Sequence, residues 1–201
     1  MHESSHCYTA RVNARPFTGA FSNQPMSLNA QKTSCFNFYR NFCQEKHLTH
    51  IDNTGKALMV DVSEKRITFR TAKAQAFVKV GETITDLIEK NCLKKGDVLT
   101  VAQIAGIMGA KKTSELIPLC HNIPLSKVDV NIRLDKGIHS VIITATVHCH
   151  GKTGVEMEAL TAATISALTV YDMCKAVSHD IVISEVLLME KTGGKSGDFQ
   201  R

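Results

Sequence analysis

A carboxylate and an amine lie one turn apart in a helical run that extends from about Glu158 to Val177. At 100° per residue, Asp172 and Lys175 face the same way. A narrow stripe and an opposite apolar face share this helix; the stripe is Thr161, Thr164, Leu168, Asp172 and Lys175, and the apolar face is Leu160, Ala163, Ala167, Val170 and Cys174. A surface ion pair is one interpretation of the two charges. Because most of the helix is apolar and expected to be buried, an acid–base pair is the other.

Two glutamates precede this helix, in the segment 151–158. In an extended chain Glu156 and Glu158 point the same way, which suits a pair of acceptors for the N–H donors of a guanine-like ring edge. Alternatively, they are first-turn acids that the helix dipole stabilises. The spacing alone leaves both interpretations open.

The loop 118–124 lies between two prolines and presents a Cys–His dipeptide. Such a loop can offer His121 and backbone amides to a ligand. Adjacent side chains diverge in an extended segment, so a catalytic pair formed by Cys120 and His121 is disfavoured. His148 and His150 share one strand face, but two histidines do not make a metal site. A sheet-face histidine pair is therefore favoured, and no metal is predicted.

Lysines lie beside glycines at two places that could hold an anion. The segment Lys94-Lys95-Gly96-Asp97 leads into a predicted helix with Asp97 as its N-cap. The tail 191–199 combines two lysines with three glycines. It is not a P-loop, because the first glycine of that motif would fall at Met189. A glycine-rich strip can still surround an anion with backbone N–H groups.

The elements that must position these groups follow from hydrophobic periodicity and turn residues. The predicted elements are a strand at 72–80, helices at 83–92 and from 98 onward, two strands at 127–134 and 139–150 joined by a hairpin, a long helix at 158–177 and a strand at 181–191. This is the β-α-β-β-α-β order of an α+β ferredoxin-like split βαβ sandwich, with an extra helix in its first half.

Charge and composition exclude several classes of protein. The 201 residues contain no apolar run long enough for a transmembrane helix, so no membrane partner is expected. Five basic and two acidic residues fall in 1–46, and 19 basic and 17 acidic residues in the remainder. The nearly neutral remainder lacks the basic footprint of a nucleic-acid-binding protein.

Seven cysteines, an odd number without a C-x-x-C pair, indicate a reducing compartment. Cys92, Cys149 and Cys174 lie in apolar stretches and are expected to be buried thiols.

The first 46 residues show no sustained periodicity of 2 or 3.6 and are rich in arginine and poor in acids. The domain division is therefore an N-terminal extension, 1–46, followed by a folded domain, 47–201. The extension is interpreted either as a mitochondrial transit segment, which would place the protein in the matrix, or as a disordered extension or linker in a cytoplasmic protein. Either way it is expected to be dispensable for chemistry.

Five segments together resemble the molybdenum-cofactor biosynthesis protein C family, the cyclic pyranopterin monophosphate synthases. They are KKGD at 94–97, LIPLCH at 116–121, GKTGVEMEALTAA at 151–163, YDMCKAV at 171–177 and KTGGKSGDF at 191–199. The resemblance runs from about Leu48 to Phe199. Asn122 departs from it, since many members have proline after the histidine.

The resemblance implies a ferredoxin-like subunit in a homohexamer, a trimer of dimers with active sites at dimer interfaces. It implies a lyase that converts (8S)-3′,8-cyclo-7,8-dihydroguanosine 5′-triphosphate into cyclic pyranopterin monophosphate and diphosphate in molybdenum cofactor biosynthesis. The upstream radical GTP cyclase would supply this small-molecule substrate, and no cofactor would be required.

The resemblance also assigns roles by position. Asp172 matches the active-site acid, Lys175 matches the neighbouring essential lysine, and Lys95 matches the lysine of the KGD loop; all three are expected to be catalytic. Residues matched to substrate binding are Leu119, Cys120, His121, Met157, Glu158 and Lys191, with Glu156 close by. We further expect the Lys94–Asp97 loop and the Asp172–Lys175 stripe to come from different subunits.

Two other classes compete with this assignment. A non-enzymatic small-molecule sensor on the same scaffold would explain the fold and the lysines, but not the Asp–Lys pair. A metal-dependent hydrolase would require the histidines to converge.

Overall fold

The structure, a computed structural model, describes residues 56–201. The segment 1–46, with its transit-peptide and linker hypotheses, lies outside the described residues. Within the described residues, nine elements follow one another: β1 (Thr68–Lys79), α1 (Glu82–Glu89), α2 (Val98–Lys111), α3 (Thr113–Leu116), β2 (Leu125–Asp135), β3 (Ser140–Gly151), α4 (Glu156–Cys174), β4 (Val182–Thr192) and β5 (Phe199–Gln200). Within the described residues, no helix is long and apolar enough to cross a membrane.

The strands form one sheet in the order β2-β3-β1-β4-β5, and every neighbouring pair is antiparallel. This confirms the predicted α+β ferredoxin-like fold. Besides the predicted extra helix, the four-residue α3 also lies before β2. The predicted hairpin joins β2 to β3, with Asp135 opposite Ser140. The short strand β5 was not predicted, because two residues are too few to show a periodicity.

Strand β1 buries every second side chain. Ala72, Ala74, Ala76 and Val78 are fully buried, whereas the residues between them are less buried. The strand begins at Thr68, four residues earlier than predicted. The hydrophobic pattern did not reveal this start, because Arg70 continues the inward-facing series with a charged side chain instead of an apolar one. Small side chains on β1 and on α4 allow the helix to lie close to the sheet.

Helices α2 and α4 pack tightly and in opposite directions. Asp97 caps α2 as predicted, because its carboxylate accepts hydrogen bonds from the amides of Leu99 and Thr100, each at 3.1 Å. Gly106 faces the side chain of Ser166, and a Cβ on this glycine would lie 2.2 Å from the serine Oγ. This close approach places the loop before α2 beside the C-terminal end of α4.

Candidate active site

Asp172 holds two ammonium groups at the C-terminal end of α4. Its Oδ2 accepts a hydrogen bond from Lys95 Nζ at 2.8 Å, and its Oδ1 lies 2.8 Å from Lys175 Nζ. Lys95 Nζ also donates to the backbone carbonyl of Asp172 at 2.8 Å. One chain therefore supplies all three groups. The expectation that Lys95 and Asp172 come from different subunits is wrong, because the antiparallel packing of α2 on α4 brings the loop to the helix end.

The two lysines determine the protonation of this cluster. Hydrogen bonds from Lys175 and then from Lys95 lower the pKa of Asp172 to about 2, and the carboxylate in turn raises the pKa of Lys175. At neutral pH the aspartate is therefore ionised and Lys175 is charged. In this arrangement the carboxylate accepts hydrogen bonds, and the ammonium groups are the groups that carry protons.

The stripe on α4 is less buried than predicted. The side chain of Asp172 is 56% exposed, and Leu168 on the same stripe is 50% exposed. Thr161, also assigned to the stripe, is instead buried. The charged cluster therefore lies open on the surface of a single chain.

A cationic cavity lies near the opposite end of α4. It has a volume of about 160 Å³, and its lining includes Lys65, Arg70, Lys152, Lys191 and Lys195. Gly194 of the predicted anion-binding tail also contributes, in the loop that follows β4. Five basic side chains around one small cavity form a suitable site for an anion.

Arg70 is the most informative member of this cavity. It is only 8% exposed, and its Nε and Nη2 donate to the carbonyls of Gly151 and Lys152 at 3.3 and 3.2 Å. Among residues 56–201, no carboxylate forms a salt bridge with it. A buried guanidinium without an acidic partner favours an anion in the adjoining cavity.

A second cavity adjoins the first and contains most of the predicted substrate-binding residues. Its volume is about 460 Å³, and its lining includes Leu119, Cys120, His121, Glu156, Met157 and Glu158. Lys65 and Glu156 line both cavities. Lys191 is the one predicted substrate-binding residue that does not line this cavity. Its Nζ lies 3.2 Å from Glu156 Oε1, so an ion pair connects it to the residues that do. The volume of this second cavity suits a small-molecule ligand.

The two glutamates lie in the first turn of α4, not in an extended segment. Both line the larger cavity. Burial is the main cause that raises the pKa of Glu158 to about 7, and the nearby charge of Glu156 adds to the shift. Burial and then Glu158 also raise the pKa of the Cys120 thiol. Glu158 can therefore carry a proton near neutral pH, whereas Cys120 remains a thiol.

We expect Glu158→Gln to remove a pH dependence of stability. The folded protein retains the Glu158 proton up to about pH 7, whereas an unfolded chain releases it near pH 4.5, so wild-type stability falls as the pH rises through that window. The variant should lack this loss. Its free energy of unfolding relative to that of the wild type should therefore be about 2 kcal/mol more favourable at pH 8 than at pH 5. Thermal melting at both pH values measures this. Glu115→Gln, at an exposed position, is the control; equal pH responses of wild type and Glu158→Gln would contradict the assignment.

The sequence analysis missed Arg70 and Lys65. Arg70 lies in phase with Ala72 and Ala74 on the inward face of β1, so a charged residue at an apolar position was a detectable signal. Lys65 lies before β1 in a segment without periodicity, and nothing in the sequence links it to the loop at His121.

The remaining candidates lie elsewhere. His148 stacks on Phe69 with ring centroids 5.6 Å apart, and its Nδ1 is 3.0 Å from Thr71 Oγ1. The described residues contain no group of three or more His, Cys, Asp or Glu side chains arranged to hold a metal ion. Cys149 is buried as predicted, but Cys92 is exposed, which corrects the expectation for that thiol.

Comparison with known proteins gives one family match and three similar proteins. The family model described as "MoaC family" matches residues 59–194. "Molybdenum cofactor biosynthesis protein 1" of Drosophila melanogaster is 64% identical over 162 residues, which are 81% of this chain and 28% of that protein. The Homo sapiens protein of the same name is 54% identical over 156 residues, 78% of this chain and 24% of that protein. "Cyclic pyranopterin monophosphate synthase" of Peptoclostridium acidaminophilum is 52% identical over 153 residues, 76% of this chain and 96% of that protein. The chain thus spans about a quarter of the length of its animal relatives.

Proposed function

The chain belongs to the MoaC family, and from this premise we propose that it is a cyclic pyranopterin monophosphate synthase. In this proposal it converts 3′,8-cyclo-7,8-dihydroguanosine 5′-triphosphate into cyclic pyranopterin monophosphate and diphosphate. The observation that carries the proposal is the pair of adjoining cavities, because one offers cations for a polyphosphate and the other offers carboxyl groups for a nitrogen-rich ring.

The chemistry of the two cavities supports this substrate. A triphosphate would lie among Lys191, Lys65 and the buried guanidinium of Arg70, which favour the charge that develops as diphosphate leaves. The ring would face Glu156 and Glu158. Glu158 with its raised pKa could donate a hydrogen bond to a ring acceptor, while Glu156 accepts from a ring donor.

The Asp172 cluster would supply proton transfer. Opening and reclosing rings requires protons to leave some atoms and reach others. With Asp172 ionised and Lys175 charged, we assign the donor role to the lysines and the acceptor role to the carboxylate. Lys95 is held by both the carboxylate and the carbonyl of Asp172, so its ammonium group is fixed in position.

One chain alone does not complete this site. Glu156 and Asp172 lie 16 residues apart on α4, which corresponds to about 24 Å along the helix axis. A group that transfers a proton must approach within hydrogen-bond distance of the reacting atom. We therefore propose that the cavities of one copy face the Asp172 cluster of another, within a homohexamer built as a trimer of dimers.

The wider context of the reaction is also a proposal. The substrate would come from an upstream radical GTP cyclase. If segment 1–46 is a transit segment, the protein acts in the mitochondrial matrix; otherwise it acts in the cytoplasm. A reporter fused to that segment and followed by microscopy distinguishes the two.

The direct test is a turnover assay with purified full-length protein and the cyclised GTP intermediate. We expect the pterin product and diphosphate in equal amounts, identified by mass spectrometry and phosphate analysis. Binding of the intermediate without any product would favour the small-molecule sensor instead. GTP itself serves as the control, because it lacks the bond between C3′ and C8 that the proposed substrate contains.

Lys191 offers a separate test of the cationic cavity. Lys191→Met should raise KM and flatten the rise of KM between about 50 and 300 mM salt, because one of the screened phosphate contacts is gone. The control is Lys136→Met, in the exposed turn between β2 and β3, which should respond to salt as the wild type does. An unchanged salt response in Lys191→Met would remove this lysine from the phosphate site.

A further inference from the structure

A short segment before β1 forms one wall of both cavities. We call residues 60–65 the strap. Val60, Val62 and Lys65 line the larger cavity, and Lys65 also lines the cationic cavity. The strap belongs to neither the sheet nor the helices. A wall of the proposed substrate site is thus built from a segment without the support of regular secondary structure.

The strap has its own local structure. Asp61 Oδ1 accepts hydrogen bonds from the amide and the hydroxyl of Ser63, both at 2.8 Å. The amide of Lys65 donates to the carbonyl of Val62 at 3.1 Å, which closes a turn. These bonds fix the shape of the strap but do not attach it to the domain.

Within residues 56–201, two hydrogen bonds attach the strap to the rest of the chain. His121 Nε2 lies 2.8 Å from the carbonyl of Val60. Lys152 Nζ donates to the carbonyl of Ser63 at 2.6 Å. The backbone of Lys152 is itself held, because its carbonyl accepts a hydrogen bond from Arg70 Nη2. A chain of contacts therefore runs from the buried guanidinium through Lys152 to the strap.

Lys152 lines the cationic cavity but already uses its ammonium group on the strap. Lys65 lies two residues after the carbonyl that Lys152 holds. We propose that Lys152 is a positioning residue that fastens the strap and thereby places Lys65 against the phosphate groups of the ligand. This inference rests on the proposed function only in taking the ligand to be a polyphosphate.

A double-mutant cycle tests whether Lys152 acts through Lys65. Inorganic tripolyphosphate is the probe, and calorimetry measures its affinity for the full-length protein. Lys152→Met and Lys65→Met should each weaken binding by about 10-fold. The double variant should be no more than about twofold weaker than the weaker single variant, because Lys152 has little to position once Lys65 is gone.

Additional variants make this test decisive. Lys152→Arg should restore most of the affinity, since arginine can also donate to the Ser63 carbonyl. Lys195→Met combined with Lys65→Met should give additive losses, because Lys195 lines the cavity from the tail. Additive losses of about 100-fold for Lys152→Met with Lys65→Met would overturn the inference and make Lys152 a direct phosphate ligand.

Hydrogen exchange of the free protein gives an independent readout. Lys152→Met should speed exchange of the Ser63 and Lys65 amides about 10-fold, while the surface control Lys127→Met leaves them unchanged. Unchanged exchange in Lys152→Met would contradict the attachment. Neither experiment requires turnover, so a protein that proves inactive on the cyclised intermediate can still confirm the role of Lys152, and an active protein can still contradict it.

Discussion

Replacing Asp172 with asparagine is expected to lower turnover by about 10²–10⁴-fold and to leave folding almost unchanged. Asparagine keeps the shape of the side chain but removes the charge that holds Lys95 and Lys175 at 2.8 Å. It also removes the group to which the proposed mechanism assigns the role of proton acceptor. The carboxylate is half exposed, so its loss leaves no buried unpaired charge and the melting temperature should change little.

The measurement is single-turnover product formation under saturating substrate, together with thermal melting. Asp129→Asn is the matched control, because Asp129 is another exposed aspartate that pairs with a lysine on the sheet. It should retain wild-type turnover. A normally folded Asp172→Asn variant with more than about half the wild-type rate would show that Asp172 takes no part in the chemistry.

Local patterns in the sequence were sufficient to predict most of the fold. The alternation in β1, the Asp97 cap of α2 and the turn residues between β2 and β3 each act within a few neighbouring residues. Their order then restricts the topology, because antiparallel hairpins and split βαβ units have few arrangements. The observed strand boundaries differ from the predicted ones where a strand end carries polar side chains, as at Thr68.

The site was harder to predict from the sequence, because its contacts join distant parts of the chain. Lys95 and Asp172 are 77 residues apart, and His121 and Val60 are 61 apart. No period or spacing encodes such pairs. The prediction from the shared stripe therefore found Asp172 with Lys175, one turn away on the same helix, but assigned Lys95 to another subunit.

In the proposed assembly, the same geometry determines which parts of the site a second copy would supply. Lys95, Asp172 and Lys175 form one unit within a chain, and the two cavities form another about 24 Å away along α4. A twofold pair of chains would then contain two sites, each with the cavities of one copy and the lysine–aspartate cluster of the other. Defects in the two units should therefore complement one another, whereas two defects in the same unit should not.

Mixed assemblies provide the test. Chains with Asp172→Asn and chains with both Glu156→Gln and Lys191→Met, each inactive alone, are unfolded and reassembled together. Random pairing makes half of the pairs mixed, and each mixed pair holds one intact site of two, so about a quarter of wild-type activity should return. Asp172→Asn mixed with Lys95→Met should stay inactive, because both changes damage the same cluster. If mass spectrometry verifies mixed assemblies and the first mixture nevertheless stays inactive, each chain must build its whole site alone. Activity only in the second mixture would mean that Lys95 reaches a neighbouring copy, against the contact seen within one chain.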